Sequence, residues 1–200
     1  MYNQLRRKDE NKIYFHNMTN KTGYSAVLLD NQSQEILRQF LSIVKHEYPA
    51  TRHFGFIKCE HMVIRFSEYF SEDGVKRKEQ TIGTPVRLKC REFGFNEKAI
   101  AVHVNRIERK IDNKPIVFEE PHNDIYHITL AHKGPNDAVE SNHIEYWKPV
   151  TDVSSAEIVL NGTICDYSHE LMGWNCLSND SSSFSSVAPY SERLNYGLYD

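Results

Sequence analysis

An α+β domain is what this sequence predicts, and three observations carry the prediction. Apolar residues fall at strand spacing in separate runs at 24–29, 56–66, 84–93, 99–104, 125–132 and 158–160. Between Ile36 and Val44 they recur at helical spacing instead. Both ends of the 200-residue chain are polar, so its 40% of hydrophobic residues concentrate in a middle stretch large enough for one core.

Residues 1–22 set Arg6, Arg7 and Lys8 ahead of an Asn-rich stretch. So few apolar groups do not offset the entropy of ordering, and a flexible polar arm is expected. Tyr24 to Leu29 then reads as a short strand. Asp30 or Ser33 caps the helix that follows, in which Ile36, Leu37, Phe40, Leu41 and Val44 share a face, and Pro49 lies just beyond its end. Phe56 to Phe66 is the next strand, with Ile57, Cys59, His61, Val63 and Arg65 on one side.

The polar, basic run from Ser67 to Gly83 suits a surface loop. Thr84 to Phe93 sets Val86, Leu88 and Cys90 opposite Arg87, Lys89 and Arg91. A turn or bulge is expected at Gly94, ahead of a strand from Ala99 to Val104. The stretch 105–124, with Pro115 and Pro121, reads as a connection. After the run at 125–132, Lys133 to Asp137 is turn-rich, His143 to Trp147 suits a short helical turn, and Ile158 to Leu160 is a late strand with a bend at Gly162. From 166 a Ser/Tyr-rich tail is expected to be mostly disordered, which leaves 23–165 as the domain.

The chemistry concentrates on Ile125 to His132. Alternation puts His127, Thr129 and Ala131 on one face, with Ile128 and Leu130 on the other, so an imidazole and a hydroxyl stand side by side. That pairing suits a phosphate: histidine moves a proton near neutral pH, and the hydroxyl bonds a non-bridging oxygen. His132 falls on the opposite face and reads as structural. His61 repeats the setting on the earlier strand, but two residues on stands Val63, which has no hydroxyl. Arg65, on the face of His61, is a candidate to supply charge in its place, and Lys133 sits in the loop at the mouth of the site. Tyr126, Trp147 and Phe66 are candidates to stack on a base. Each of these residues also has a plainer role open to it, as core histidine, solvated cation or packing ring.

Two such strands in one chain resemble the two-histidine (2H) phosphoesterase superfamily. The resemblance extends over Gly23-Tyr-Ser-Ala-Val-Leu-Leu-Asp30, His61-Met-Val-Ile64, Gly83-Thr-Pro-Val-Arg-Leu88, Lys98-Ala-Ile-Ala-Val-His-Val104, His127-Ile-Thr-Leu-Ala131, Ser141-Asn142, Trp147-Lys-Pro149 and Val159-Leu-Asn-Gly-Thr163. In that order they are similar to the branch that holds the cyclic phosphodiesterase module of fungal-type and plant-type tRNA ligases. The similarity covers 23–165, and its first motif is degenerate at Val63.

The resemblance implies a bilobal fold of two antiparallel sheets with flanking helices around a central groove. It implies His61 and His127 as the catalytic pair, one taking a proton from water and one giving a proton to the departing ribose oxygen. Thr129, Arg65, Lys133 and Tyr126 would then bind substrate, a 2',3'-cyclic phosphate on an RNA end or a small cyclic nucleotide. No metal and no cofactor is implied. The alternative is a catalytically weak or inactive module of the same fold that binds RNA ends or nucleotides, and a third reading is a structural or partner-binding domain.

The net charge of −3 exerts no global pull on nucleic acid, so RNA binding would need a local basic patch. Candidates are Lys76, Arg77 and Lys78, then Arg87, Lys89 and Arg91, then Arg106, Arg109 and Lys110. Cys59, Cys90, Cys165 and Cys176 form no C-x-x-C pair, which argues against a zinc ribbon. With no apolar leader near Met1 and no membrane-length apolar run, a cytoplasmic or nuclear monomer with reduced thiols and no membrane association is expected.

Overall fold

The structure is a computed structural model that describes residues 23–65, 82–118, 125–168 and 173–176. Its strands are β1 (Gly23–Leu29), β2 (Phe56–Ile57), β3 (His61–Arg65), β4 (Pro85–Phe95), β5 (Ala99–Arg109), β6 (His127–His132), β7 (Trp147–Pro149), β8 (Ile158–Ser168) and β9 (Gly173–Asn175), with helix α1 at Asn31–Glu47. The chain is thus α+β and rich in sheet. The two antiparallel sheets expected from the resemblance are here one: the strands join in the order β2-β6-β5-β4-β8-β1-β3, with β7 added to β4 and β9 to β8.

Two features bend that sheet. At Lys89, Cys90 and Glu92 the β4–β5 register shifts twice, and there the other neighbour of β4 changes from β8, along Pro85–Cys90, to β7, along Glu92–Gly94. Bulges bend a strand and increase its twist, so the sheet divides into two halves without breaking. The second feature is the link from β2, at one edge, to β3, at the other. Lys58 to Glu60 spans on the order of 10 Å at most, which draws the two edges together. The amides of Lys58 and Cys59 donate to the carbonyls of Leu130 and Thr129 at 2.9 and 3.1 Å. Cys59 then takes a φ of 58°, an uncommon conformation for a residue with a side chain, and hands the chain over to β1. The single expected strand at 56–66 is therefore two, broken at Cys59.

Alternation supplies the core. Val27, Met62, Ile64, Val86, Leu88, Cys90, Val102, Ile128, Leu160 and Ile164 are fully buried on one side of the sheet. α1 lies on that side, burying Leu37, Phe40, Leu41 and Val44, and the Phe40 ring meets Phe93 edge-on at 5.6 Å. Asp30 caps the helix, accepting from the Ser33 amide at 2.8 Å. Ser33 Oγ in turn accepts from the Asn161 amide at 2.7 Å, which fastens the helix start to β8.

β8 runs straight through Gly162 rather than bending there. A Cβ at that position would lie 2.6 Å from the Leu28 carbonyl oxygen, so the glycine permits a close approach between β1 and β8. The folded part also passes the expected boundary at 165: β8 continues to Ser168, and β9 pairs with it through Asp166–Asn175 and Tyr167–Trp174. Cys165 and Cys176 form a disulfide that closes this hairpin, and it replaces the expectation of four reduced thiols; Cys59 and Cys90 are free and buried. The expected arm at 1–22, the basic loop with Lys76, Arg77 and Lys78, Phe66, and the tail from 177 lie outside the described residues.

Candidate functional site

Both histidine strands present their histidines on the side of the sheet away from α1. In β3 the core residues Met62 and Ile64 alternate with His61 and Val63, which pair with Leu28 and Ala26 of β1. In β6, His127 and Thr129 pair with His103 and Ala101 of β5, while Ile128 pairs with the buried Val102. β3 and β6 also touch, because Cys59 is bonded to Thr129 just before β3 begins. Alternation fails after Thr129. A register shift between Ile100 and Ala101 leaves Leu130 as the extra residue, so Ala131 pairs with Ile100 in the core. His132 thereby returns to the side of His127, opposite Ala99. It is buried there, stacked on Phe56 at 5.3 Å, with Nδ1 2.6 Å from the Gly134 carbonyl.

His127 is the centre of a hydrogen-bonded cluster. Its Nδ1 lies 3.0 Å from the Ile125 carbonyl and its Nε2 lies 3.0 Å from Ser141 Oγ. Thr129 Oγ1 is 2.8 Å from the same Ser141 oxygen, which also reaches the Ala138 carbonyl at 2.7 Å. Counting hydrogens shows what this network favours. With neutral imidazole, the Ser141 hydrogen can serve either Nε2 or Ala138, but not both. With imidazolium, both ring N–H groups donate, Ser141 donates to Ala138, and its oxygen accepts from His127 and Thr129. Burial works the other way and pulls the His127 pKa below its ordinary value; the Ile125 carbonyl opposes that shift, and the facing His103 adds to it.

Ser141 is carried by a 3-10 turn, Asp137–His143, laid across this face. The expected helical turn at 143–147 thus comes earlier, and β7 occupies Trp147–Pro149. Small residues make the room. A Cβ on Gly94 would sit 2.5 Å from Ile144 Cγ2 and 2.8 Å from the Tyr146 carbonyl oxygen. Gly94 is therefore neither turn nor bulge; it lets the segment cover Ala101 and Thr129. Ser141 caps Nε2, so a group that bonds His127 there has to displace this contact.

His61 has a different setting. Its ring packs 5.7 Å from Tyr24 and 5.3 Å from Trp174, and its buried Nδ1 has no hydrogen-bond partner among the described residues. Desolvation, helped by the Lys58 charge, pulls its pKa down to about 4. At neutral pH it is an uncharged ring among aromatic rings.

The remaining candidates divide. Arg65 ends β3, paired with Ser25 of β1. Lys133 follows β6, exposed, with its amide donating to the Lys98 carbonyl at 2.9 Å. Tyr126 turns to the core side and meets Phe118 edge-on at 5.9 Å, so it does not join His127. Four of the basic positions on β4 and β5 pair with acids: Lys89 and Arg106 both hold Glu108, at 3.1 and 2.6 Å, Arg91 holds Glu157 at 2.6 Å, and Arg109 holds Asp112 at 3.0 Å, while Arg87 donates to Asn113 Oδ1 at 3.1 Å. A cavity of about 340 Å³ lined by Arg91, Pro149, Val150, Thr151 and Glu157 does not include the histidines.

Sequence reasoning missed His103. Its ring lies 5.4 Å from Trp147, and its Nδ1 lies 2.7 Å from Glu92 Oε2, a contact that holds the Glu92 carboxyl below the usual carboxylate range. The available signal was the pairing of two strands through His103 and His127, which depends on register rather than on spacing within one strand. Among the described residues no group of three or more His, Cys, Asp or Glu is placed to hold a metal ion, and no helix is long and apolar enough to cross a membrane. No family model matches the chain, and no curated protein matches it in sequence.

Proposed function

We propose that this protein opens 2',3'-cyclic phosphates, on an RNA end or a small cyclic nucleotide, by proton transfer from its own side chains. The reading rests on one observation: Ser141 Oγ lies 3.0 Å from His127 Nε2 and 2.8 Å from Thr129 Oγ1, on a sheet face that the 2H resemblance marks as the active one. An imidazole supplies the proton, and two hydroxyls offer donors to the non-bridging oxygens where negative charge accumulates. The bilobal groove of the 2H fold belongs to the same proposal, and the bend in β4 is its counterpart in this sheet.

A second reading, a module that binds such ends without turning them over, is favoured by a separate observation: His61 is an uncharged ring packed against Trp174, and Val63 offers no hydroxyl. Turnover of 2',3'-cyclic AMP and of an oligonucleotide ending in a cyclic phosphate separates the two. Hydrolysis that falls at least a hundredfold in His127→Ala supports the enzyme. Binding without hydrolysis supports the module. A chain that neither binds nor cleaves either compound refutes both.

A further inference from the structure

We propose that the second proton carrier of this site is His103, not His61. The inference rests on the reading of a cyclic-phosphate site at His127. Strands β5 and β6 set His103 directly opposite His127. The Val104 amide donates to the Tyr126 carbonyl at 2.8 Å, so those two residues form the hydrogen-bonded pair and the two histidines form the adjacent non-hydrogen-bonded one. Side chains of such pairs come closest across a sheet, with Cβ atoms about 4.5–5.5 Å apart.

His103 is also built to take a proton. Glu92 accepts from its Nδ1, and Asn105 Nδ2 lies 3.1 Å from both that carboxylate oxygen and Nδ1. Asn105 is fixed in turn, its Oδ1 accepting from the Arg91 amide at 2.7 Å. A carboxylate on Nδ1–H sets the tautomer that leaves the Nε2 lone pair outward, and it stabilises the imidazolium that forms. Nothing among the described residues bonds Nε2, and the side chain keeps 23% of its surface. Among the described residues, His61 has no carboxylate on its ring, which packs against Tyr24 and Trp174 instead. Among the described residues, the titratable groups facing His103 are Glu92 from β4 and His127 from β6; Trp147, from β7, brings no charge.

The step balances with water alone. Water bonds to phosphorus and gives a proton to His103 Nε2. The bond from phosphorus to one ribose oxygen breaks, and that oxygen takes the proton held on His127 Nε2. One water is consumed, one monoester forms, and transfer of the proton from His103 back to His127 resets the pair.

The test combines turnover of 2',3'-cyclic AMP with NMR of the histidine rings during titration with adenosine 2'-monophosphate, in the wild type, His103→Gln and Glu92→Gln. His103→Gln is expected to lower kcat on the order of a hundredfold or more with an unchanged melting temperature. Glu92→Gln, which removes the carboxylate that orients the His103 ring, is expected to lower kcat by a smaller factor than His103→Gln, with KM unchanged. The nucleotide shifts the His103 and His127 signals together. A His127 signal that moves while His103 stays still, or a His61 signal that moves in its place, overturns the inference and leaves the cyclic-phosphate reading standing. Silence at His127 with no turnover overturns both.

Discussion

Lowering the pH from 7 to 4 tests the burial of His61 directly. Its pKa is about 4 in the folded chain, against an ordinary 6.5 once unfolded. Between those values the unfolded chain binds a proton that the folded chain does not, so stability rises with pH across that window and is lost as pH falls through it. For this one group, the two values give a loss of about 2 kcal/mol between pH 7 and 5, and about 3 kcal/mol by pH 4. Other groups titrate in the same range, so the measurement is a difference between wild type and His61→Phe, which keeps a ring between Tyr24 and Trp174. Urea unfolding at pH 7, 6, 5 and 4 should show the stability of the wild type falling relative to that of His61→Phe as pH falls, by about that amount. Curves that stay parallel, or a His61 ring that titrates near 6.5 by NMR, would refute the account of a desolvated, partnerless imidazole.

Three further outcomes are expected. Gly94→Ala forces a Cβ into Ile144 and the Tyr146 carbonyl, and urea unfolding should show a loss of about 1–3 kcal/mol. Ser141→Ala leaves His127 Nε2 and Thr129 Oγ1 without the oxygen they share, for a similar cost of about 1–3 kcal/mol by the same measurement. Burial pushes the Cys59 thiol up to about 12 and raises the Cys90 thiol as well, so at pH 8 neither should react with iodoacetamide in the native chain. Intact mass should then show two alkylations after unfolding without reductant, and four after reduction.

Strands β1, β4, β5, β6 and β8, the helix and its burying face were legible because each depends on local periodicity, whereas β7 and β9 were not. Val86, Leu88 and Cys90, and Leu37, Phe40, Leu41 and Val44, are buried as their spacing requires. What periodicity misses is any residue inserted into a ladder. Leu130 is such a residue, and it moves Ala131 into the core and His132 onto the side of His127. Cys59 is another break of this kind, because a left-handed φ on a side-chain-bearing residue leaves no mark in the pattern of apolar positions. The glycines misled for a related reason: Gly94 and Gly162 stand where backbones and side chains crowd together, which from one strand alone looks the same as a turn signal. The hydroxyl-bearing motif at His127 was legible, whereas Glu92 and His103 come together only through cross-strand register.

These departures share a direction across the sheet. Beside β3, the side away from α1 carries Tyr24, Ala26, Val63, Cys165, Tyr167 and Trp174 around His61, and β9 is fastened over it by the Cys165–Cys176 bridge. Val63 suits that setting, since a hydroxyl there would face apolar neighbours and lose its water. Beside β6, the same side carries Glu92, His103, Asn105, His127, Thr129 and Ser141, each hydrogen-bonded to another of them. Val63 and His61, on one strand, thus belong to one largely apolar half of the face. The proton chemistry proposed above has its partners within the other half.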